Sequence, residues 1–163
     1  MNKAVIVAVL GLVALASAEM RIETPLKSFL KPKALLAGNL GKPGEPAVWG
    51  ECTSTKQFKP DMSKTYSDPK IPVKGIDVAL ILHGTFTDDV ELKGIKIYVE
   101  WNKTPLYVQD YERAASYSEG DDYSDNIGWS IPSFAPTGHY NVVITLHDAA
   151  NKNLGCLTVD FDL

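Results

Sequence analysis

The chain has 163 residues, 45% of them hydrophobic and 22% charged, with a formal net charge of −4. That length suits one domain plus additional segments. A mildly acidic chain lacks the basic footprint of nucleic-acid binding, and nothing in it suggests strong polybasic attachment to anionic lipid.

Met1-Asn2-Lys3 is a short positive start, Ala4 to Leu15 is an uncharged apolar run, and Ala16-Ser17-Ala18 has the small-x-small form of a cleavage site. This pattern predicts a secretory signal peptide over residues 1–18. The alternative is a membrane anchor, for which the run is short against the about 20 residues of a span. Loss of this segment would remove one lysine and no acid, moving the net charge from −4 to −5. In a secreted chain the two cysteines, Cys52 and Cys156, read as a disulfide. Two free thiols are the alternative. No His or Cys cluster at ligand spacing accompanies them, so no metal site is expected.

Residues 19–47 differ in composition from residues 48–163. Pro25, Pro32, Pro43 and Pro46 alternate with Gly38, Gly41 and Gly44, and Pro32 interrupts any long helix through the leucines. The segment reads as a propeptide or mobile N-terminal arm. A lid that inserts its leucines into a pocket is the other reading.

A domain is expected over residues 48–163. Val48 to Cys52 is short and extended, and Lys56 to Tyr66 is a weaker strand candidate. Ser67 to Gly75, with Pro69 and Pro72, is a loop. Ile76 to Phe86 comes next as a strand with Ile76, Val78, Leu80, Leu82 and Phe86 on one face. Ile95, Ile97, Val99 and Trp101 alternate with polar residues in another. Asn102 to Pro105 turns, and a strand from Leu106 ends near Tyr111. Residues 110–126 carry six acids against Arg113 and read as an exposed loop over one end of the domain. Calcium at Asp121, Asp122 and Asp125 is the sharper alternative, but the spacing of an EF-hand is missing. Ile127 to Ser130 puts Trp129 inward. Tyr140, Val142, Ile144 and Leu146 then alternate with Asn141, Thr145 and His147. After a turn over Asp148 to Asn153, Leu157, Val159, Phe161 and Leu163 do the same. About seven strands without a long helix predict an all-β sandwich.

No Gly-x-Ser-x-Gly elbow or phosphate-cradling glycine loop is present. His83 and His147 fall on the polar faces of their strands, where a solvated imidazole is the default, and His139 sits in a turn. A catalytic site, a cofactor and a metal are therefore not expected. The inward residues Val78, Leu80, Leu82, Phe86, Ile97, Val99, Trp101, Tyr140, Val142, Ile144, Leu157, Val159 and Phe161 either form a packed core or line a ligand cavity between splayed sheets. Periodicity is the same in both cases.

Several short motifs, in order, carry a resemblance. They are Trp49-Gly50-Glu51-Cys52, Pro72-Val73-Lys74-Gly75, His83-Gly84-Thr85-Phe86-Thr87-Asp88-Asp89, Ile131-Pro132 with Ala135-Pro136-Thr137-Gly138-His139-Tyr140, and Gly155-Cys156-Leu157-Thr158-Val159. Residues 48–163 resemble the ML (lipid-recognition) domain family, especially its secreted phosphatidylglycerol/phosphatidylinositol transfer proteins. The family also includes the Niemann–Pick type C sterol carrier.

The resemblance implies an immunoglobulin-like sandwich of two antiparallel sheets with one phospholipid or sterol held between them. It implies a cavity lined by Val78, Leu80, Leu82, Phe86, Ile97, Val99, Trp101, Trp129, Phe134, Tyr140, Val142, Ile144, Val159 and Phe161, and a Cys52–Cys156 bridge from first strand to last. It further implies a monomeric carrier in the secreted or endolysosomal space, touching membranes or a membrane acceptor protein transiently. Tyr98, Tyr107 and Trp129 are candidates for its mouth. Family members usually carry a further cysteine pair before the Ile-Pro motif, which this chain lacks. The alternative function is a non-transferring recognition module for a microbial lipid or a protein receptor, supported by the acidic 110–126 stretch. Asn102-Lys103-Thr104 is an N-glycosylation sequon with Pro105 directly after it.

Overall fold

The computed structural model describes residues 43–52 and 57–163. The expected signal peptide and nearly all of the expected arm lie outside them. Nine strands occur in order: β1 Val48–Glu51, β2 Phe58–Pro60, β3 Tyr66–Asp68, β4 Asp77–Phe86, β5 Val90–Trp101, β6 Thr104–Tyr117, β7 Asp122–Ser130, β8 His139–His147 and β9 Asn153–Asp162. Two antiparallel sheets face each other. The larger runs β1-β9-β8-β5-β6. In the smaller, β7 lies along β4 from Asp77 to Thr85, while β2 and β3 share the opposite edge of β4 end to end.

The alternation of β4, β5, β8 and β9 determines the layering. Buried Val78, Leu80, Leu82 and Phe86 on β4 face buried Ile95, Ile97 and Val99 on β5, with Tyr140, Val142, Ile144 and Leu146 on β8 and Leu157, Val159 and Phe161 on β9. Each such side chain taken out of water stabilises the fold by about 1.5–3 kcal/mol. Ile76, placed on this face by the sequence pattern, precedes β4 and is exposed.

Two expectations change. The single strand read over residues 56–66 is two short ones, because a turn at Asp61 interrupts it. The Asp61 carboxylate accepts from the Ser63 amide and hydroxyl, and its carbonyl accepts from the Lys64 and Thr65 amides. The Thr65 hydroxyl then bridges the gap in the ladder, accepting from His83 N and donating to His83 O. More consequentially, residues 110–126 are not a loop. They complete β6 and begin β7, leaving only the turn Ser118–Asp121. β6 is an edge strand, exposed along most of its length, so its polar residues carry no apolar alternation. Pro105 is tolerated because it lies on that edge.

Phe58 ties the sheets together at one end. A β-carbon on Gly84 of β4 would lie 2.2 Å from its ring, and one on Gly155 of β9 would lie 2.8 Å from it. Both glycines are required by this close approach. The ring also meets Phe86 and Tyr123 at centroid distances of 5.2 and 5.7 Å.

Cys52 and Cys156 form a disulfide with Cα atoms 5.3 Å apart, spanning 104 residues. It joins the end of β1 to β9, inside the larger sheet. Loop-closure entropy for that separation predicts that a Cys52→Ala/Cys156→Ala chain loses about 4–5 kcal/mol of unfolding free energy. Urea denaturation of both proteins measures this; equal midpoints would refute it. Replacing Gly84 by Ala should cost about 1–3 kcal/mol, since the Phe58 ring must leave its notch.

Candidate functional site: the interior between the sheets

Twelve of the fourteen residues expected to line a cavity are buried between the sheets: Val78, Leu80, Leu82, Phe86, Ile97, Val99, Trp129, Tyr140, Val142, Ile144, Val159 and Phe161. Trp101 is half-buried against this cluster, its indole N–H donating to Thr137 O at 3.2 Å. Phe134 departs from the expectation. It is 86% exposed in the segment between β7 and β8, where no strand periodicity directs its side chain inward.

The interior is stratified. Phe58, Phe86, Tyr117 and Tyr123 form an aromatic cluster at one end, with Phe86 and Tyr117 rings 4.6 Å apart. Trp129, Phe161 and Tyr140 form a second, with Tyr140 and Phe161 stacked at 5.3 Å. Aliphatic side chains fill the space between. Tyr140 closes its end by donating to Pro136 O at 2.7 Å.

Along the β6–β7 side the sheets are joined by polar contacts between inward side chains. Trp129 donates its indole N–H to the Tyr107 hydroxyl. Tyr111 donates to Gly128 O at 3.3 Å. Arg113 Nε meets Asp125 Oδ2 at 2.7 Å, and Tyr123 donates to the same oxygen at 3.2 Å. Tyr107 and Trp129, two of the candidate mouth residues, are thus brought together. Tyr98 is not with them. Its register opposite Val108 puts it on the outer face, where it donates to Glu100 at 3.0 Å.

Burial and neighbouring negative charge hold the tyrosines neutral. Desolvation, then the Glu100 hydrogen bond, pushes Tyr98 up to about 12. Desolvation and the Asp125 carboxylate push Tyr123 well above the ordinary phenol range. Tyr107, Tyr111, Tyr117 and Tyr140 are raised chiefly by desolvation.

Two histidines are not solvated as the sequence pattern suggested. His147 is buried, with Nδ1 3.1 Å from Asp148 O and Nε2 3.0 Å from the Asp110 carboxylate. His139 opens β8 rather than lying in a turn, its ring between Asp162 at 2.9 Å and Asp160 at 3.2 Å. Both lie on the outer face, away from the interior. Among the described residues no group of three or more His, Cys, Asp or Glu is arranged to hold a metal ion.

One end of the sandwich is apolar outside as well as inside. Gly75 N donates to Ile131 O and Ile131 N to Ile76 O, bringing the segment before β4 beside the β7–β8 connection. Lys74 donates to the Thr137 hydroxyl at 2.7 Å. Asn102, in the two-residue turn between β5 and β6, donates from its amide to His139 O and accepts from His139 N at its side chain. Ile71, Val73 and Ile76 before β4 and Phe134 in the β7–β8 connection are exposed, as are Leu106 and Val108 on β6.

Sequence reasoning missed Tyr123, Ile127 and Tyr117 as interior residues. Tyr123, Ile127 and Trp129 do alternate. The acid at inward Asp125 hid the pattern.

An apolar interior between two antiparallel sheets, with the first strand bridged to the last, defines a disulfide-bridged β-sandwich. A family profile of the ML domain matches residues 48–163, and the chain belongs to that family. A Dictyostelium discoideum protein, described provisionally as a phosphatidylglycerol/phosphatidylinositol transfer protein, is 30% identical over 76% of this chain and 92% of its own. A second one, so described, is 28% identical over 73% and 84%. The crystal structure of a Niemann-Pick type C2 protein from Japanese carpenter ant shares the fold, with a TM-score of 0.55 over 71% of this chain and 98% of that one at 8% identity.

Six of the seven tyrosines are held protonated above their unfolded range near 10. Above about pH 10 the unfolded chain therefore binds fewer protons than the native one, and stability falls as pH rises. Tyrosinate absorbance should climb together with loss of fold; early titration of most tyrosines in a folded protein would contradict this. Asp125→Ala leaves both Arg113 and the Tyr123 hydroxyl without their acceptor. Because Arg113 is about one-third exposed, the expected loss is about 1–3 kcal/mol, between exposed and buried pairs.

Proposed function

We infer that this protein holds one lipid between its two sheets and carries it between membranes, as a monomer working in the secreted or endolysosomal space. The observation that carries this reading is an apolar interior between two sheets that no disulfide ties to each other among the described residues. The Cys52–Cys156 bridge lies within the larger sheet, and the β6–β7 side is held by side-chain contacts. Walls of that kind can part to admit a chain and close over it. Exposing an acyl chain to water costs about 0.8 kcal/mol per CH₂, and an interior lined by Leu, Ile, Val and aromatic groups removes that cost without chemistry. Of the expected lining, the twelve buried residues and Trp101 serve this role. Exposed Phe134 does not.

Phe134 instead belongs to membrane contact, with Ile71, Val73 and Leu106 at the same end and Lys70, Lys74 and Lys103 in the same segments. Aromatic and aliphatic tips flanked by lysine suit an anionic membrane surface. The relatives' names make phosphatidylglycerol and phosphatidylinositol the first ligands to offer, with a sterol as the comparison.

The recognition-module reading loses its sequence support. Of the six acids in 110–126, Asp110, Glu112, Asp121, Asp122 and Asp125 are engaged within the fold, with His147, Lys93, Ser118, Thr85 and Arg113.

Solvent extraction of the purified protein should release one phospholipid or sterol per chain, and the protein should move labelled lipid between vesicles. An empty protein that moves none would sink the reading. Phe134→Asp should slow transfer roughly tenfold, by loss of its membrane insertion, while leaving the amount of lipid held in solution unchanged.

A further inference from the structure

Three buried polar side-chain atoms have no hydrogen-bond partner among the described residues: Trp49 Nε1, Asn141 Oδ1 and Asn153 Oδ1. Asn141 is on the outer face of β8, where its amide nitrogen already donates to Asp160, and Asn153 is the first residue of β9. Trp49 is different. It stands opposite Val159 on the inner face of the larger sheet and packs against the core. Indole N–H groups taken out of water ordinarily find an acceptor, and one left without costs free energy that an arriving acceptor would remove.

The surroundings show what such an acceptor would belong to. The register from Trp49 across the sheet gives Val159, Val142, Val99 and Tyr107 in one row. This row spans four strand spacings, about 19 Å. Its centre is three valines, flanked by the larger Phe161–Tyr140–Trp101 row on one side and Leu157–Ile144–Ile97 on the other. It is therefore a furrow only in outline, a row of shorter side chains between bulkier ones, with all three valines buried in the closed sandwich. Its polar tips are at its two ends. The Tyr107 hydroxyl accepts from Trp129, whereas the Trp49 N–H is unengaged.

We propose that the Trp49 indole N–H is the hydrogen-bond donor for an acceptor oxygen on a lipid lying along this valine furrow. The proposal rests on the lipid-binding reading and adds to it a named residue, an atom and a polarity. The ligand presents an acceptor at the β1 edge and apolar substance across the valines. A phospholipid ester or phosphate oxygen and a sterol hydroxyl share that chemistry.

The test is Trp49→Phe, which keeps an aromatic ring and removes the donor, in the full-length protein. Delipidated wild type and variant are offered vesicles containing phosphatidylglycerol or, separately, cholesterol, and the lipid held per protein is measured. The melting temperature of each delipidated protein is recorded. The variant should stay folded, melting lower only by the cost of the ring volume lost from a half-buried site. It should hold lipid about tenfold more weakly, the worth of one buried hydrogen bond. The lipid for which affinity falls identifies the source of the oxygen. In wild type, the Trp49 indole proton resonance should move downfield on lipid uptake. Equal affinities for a lipid that wild type binds, with an unmoved indole resonance, would overturn the proposal and point to a bound water as the acceptor. Wild type that takes up neither lipid would remove the lipid-binding reading itself.

Discussion

Arg113 and Asp125 face each other inside the rim of the sandwich, and this pair holds β6 of one sheet against β7 of the other. An inward charge on an edge strand is costly unless its partner lies on the opposing sheet. Here each satisfies the other, and the Tyr123 hydroxyl completes the carboxylate. Once they meet, Tyr117 and Tyr123 are drawn against Phe86, and Tyr107 against Trp129. The apolar interior can then reach the β6–β7 side because the polar groups there bond to one another rather than to water.

The same pair explains why this side was illegible in the sequence. β4, β8, β9 and the second half of β5 place apolar residues at every second position, so their inward faces and the closing β8–β9 hairpin could be read directly. β6 and β7 carry Gln109, Arg113 and Asp125 at inward positions, and a period-2 pattern with charges on its buried phase reads as a polar loop. β2 and β3 were hidden for another reason. Each is three residues long, and what keeps them in line is the Thr65 hydroxyl standing in for a missing backbone bond at His83, a tertiary fact with no local signature. The interior lining was largely legible because lining and core obey the same alternation. Phe134 was misplaced because a connection has no alternation to read. Trp49 lies in a four-residue strand too short to declare a face.

The histidines carry a related lesson about sheets that are polar on one side. An outward strand position ordinarily faces solvent, but β8 is flanked by β5 and β9, and its outward residues have cross-strand neighbours. His139 lies opposite Asp162 and beside Asp160 on β9. His147 reaches past β5, where Gly94 carries no side chain, to Asp110 on β6. A β-carbon at Gly94 would come within 3.1 Å of His147 Nε2. Along β8 the outer face is thus knit by paired histidine and carboxylate groups.

The β6–β7 side of the sandwich is held by hydrogen bonds and one ion pair. Its covalent bridge closes β1 to β9 within a single sheet, stiffening one wall. Contacts across the β6–β7 rim are individually worth about a kcal/mol to a few kcal/mol, small enough to break and reform in thermal fluctuation, whereas the ladder of β4 with β7 is continuous over nine residue pairs and that of β5 with β6 runs over eleven with two register shifts. Strain applied between the walls therefore opens the rim before it opens either sheet. A sandwich with rigid sheets and a reversible rim can exchange an apolar guest without unfolding, and that mechanical asymmetry is the property the proposed lipid-carrying role requires.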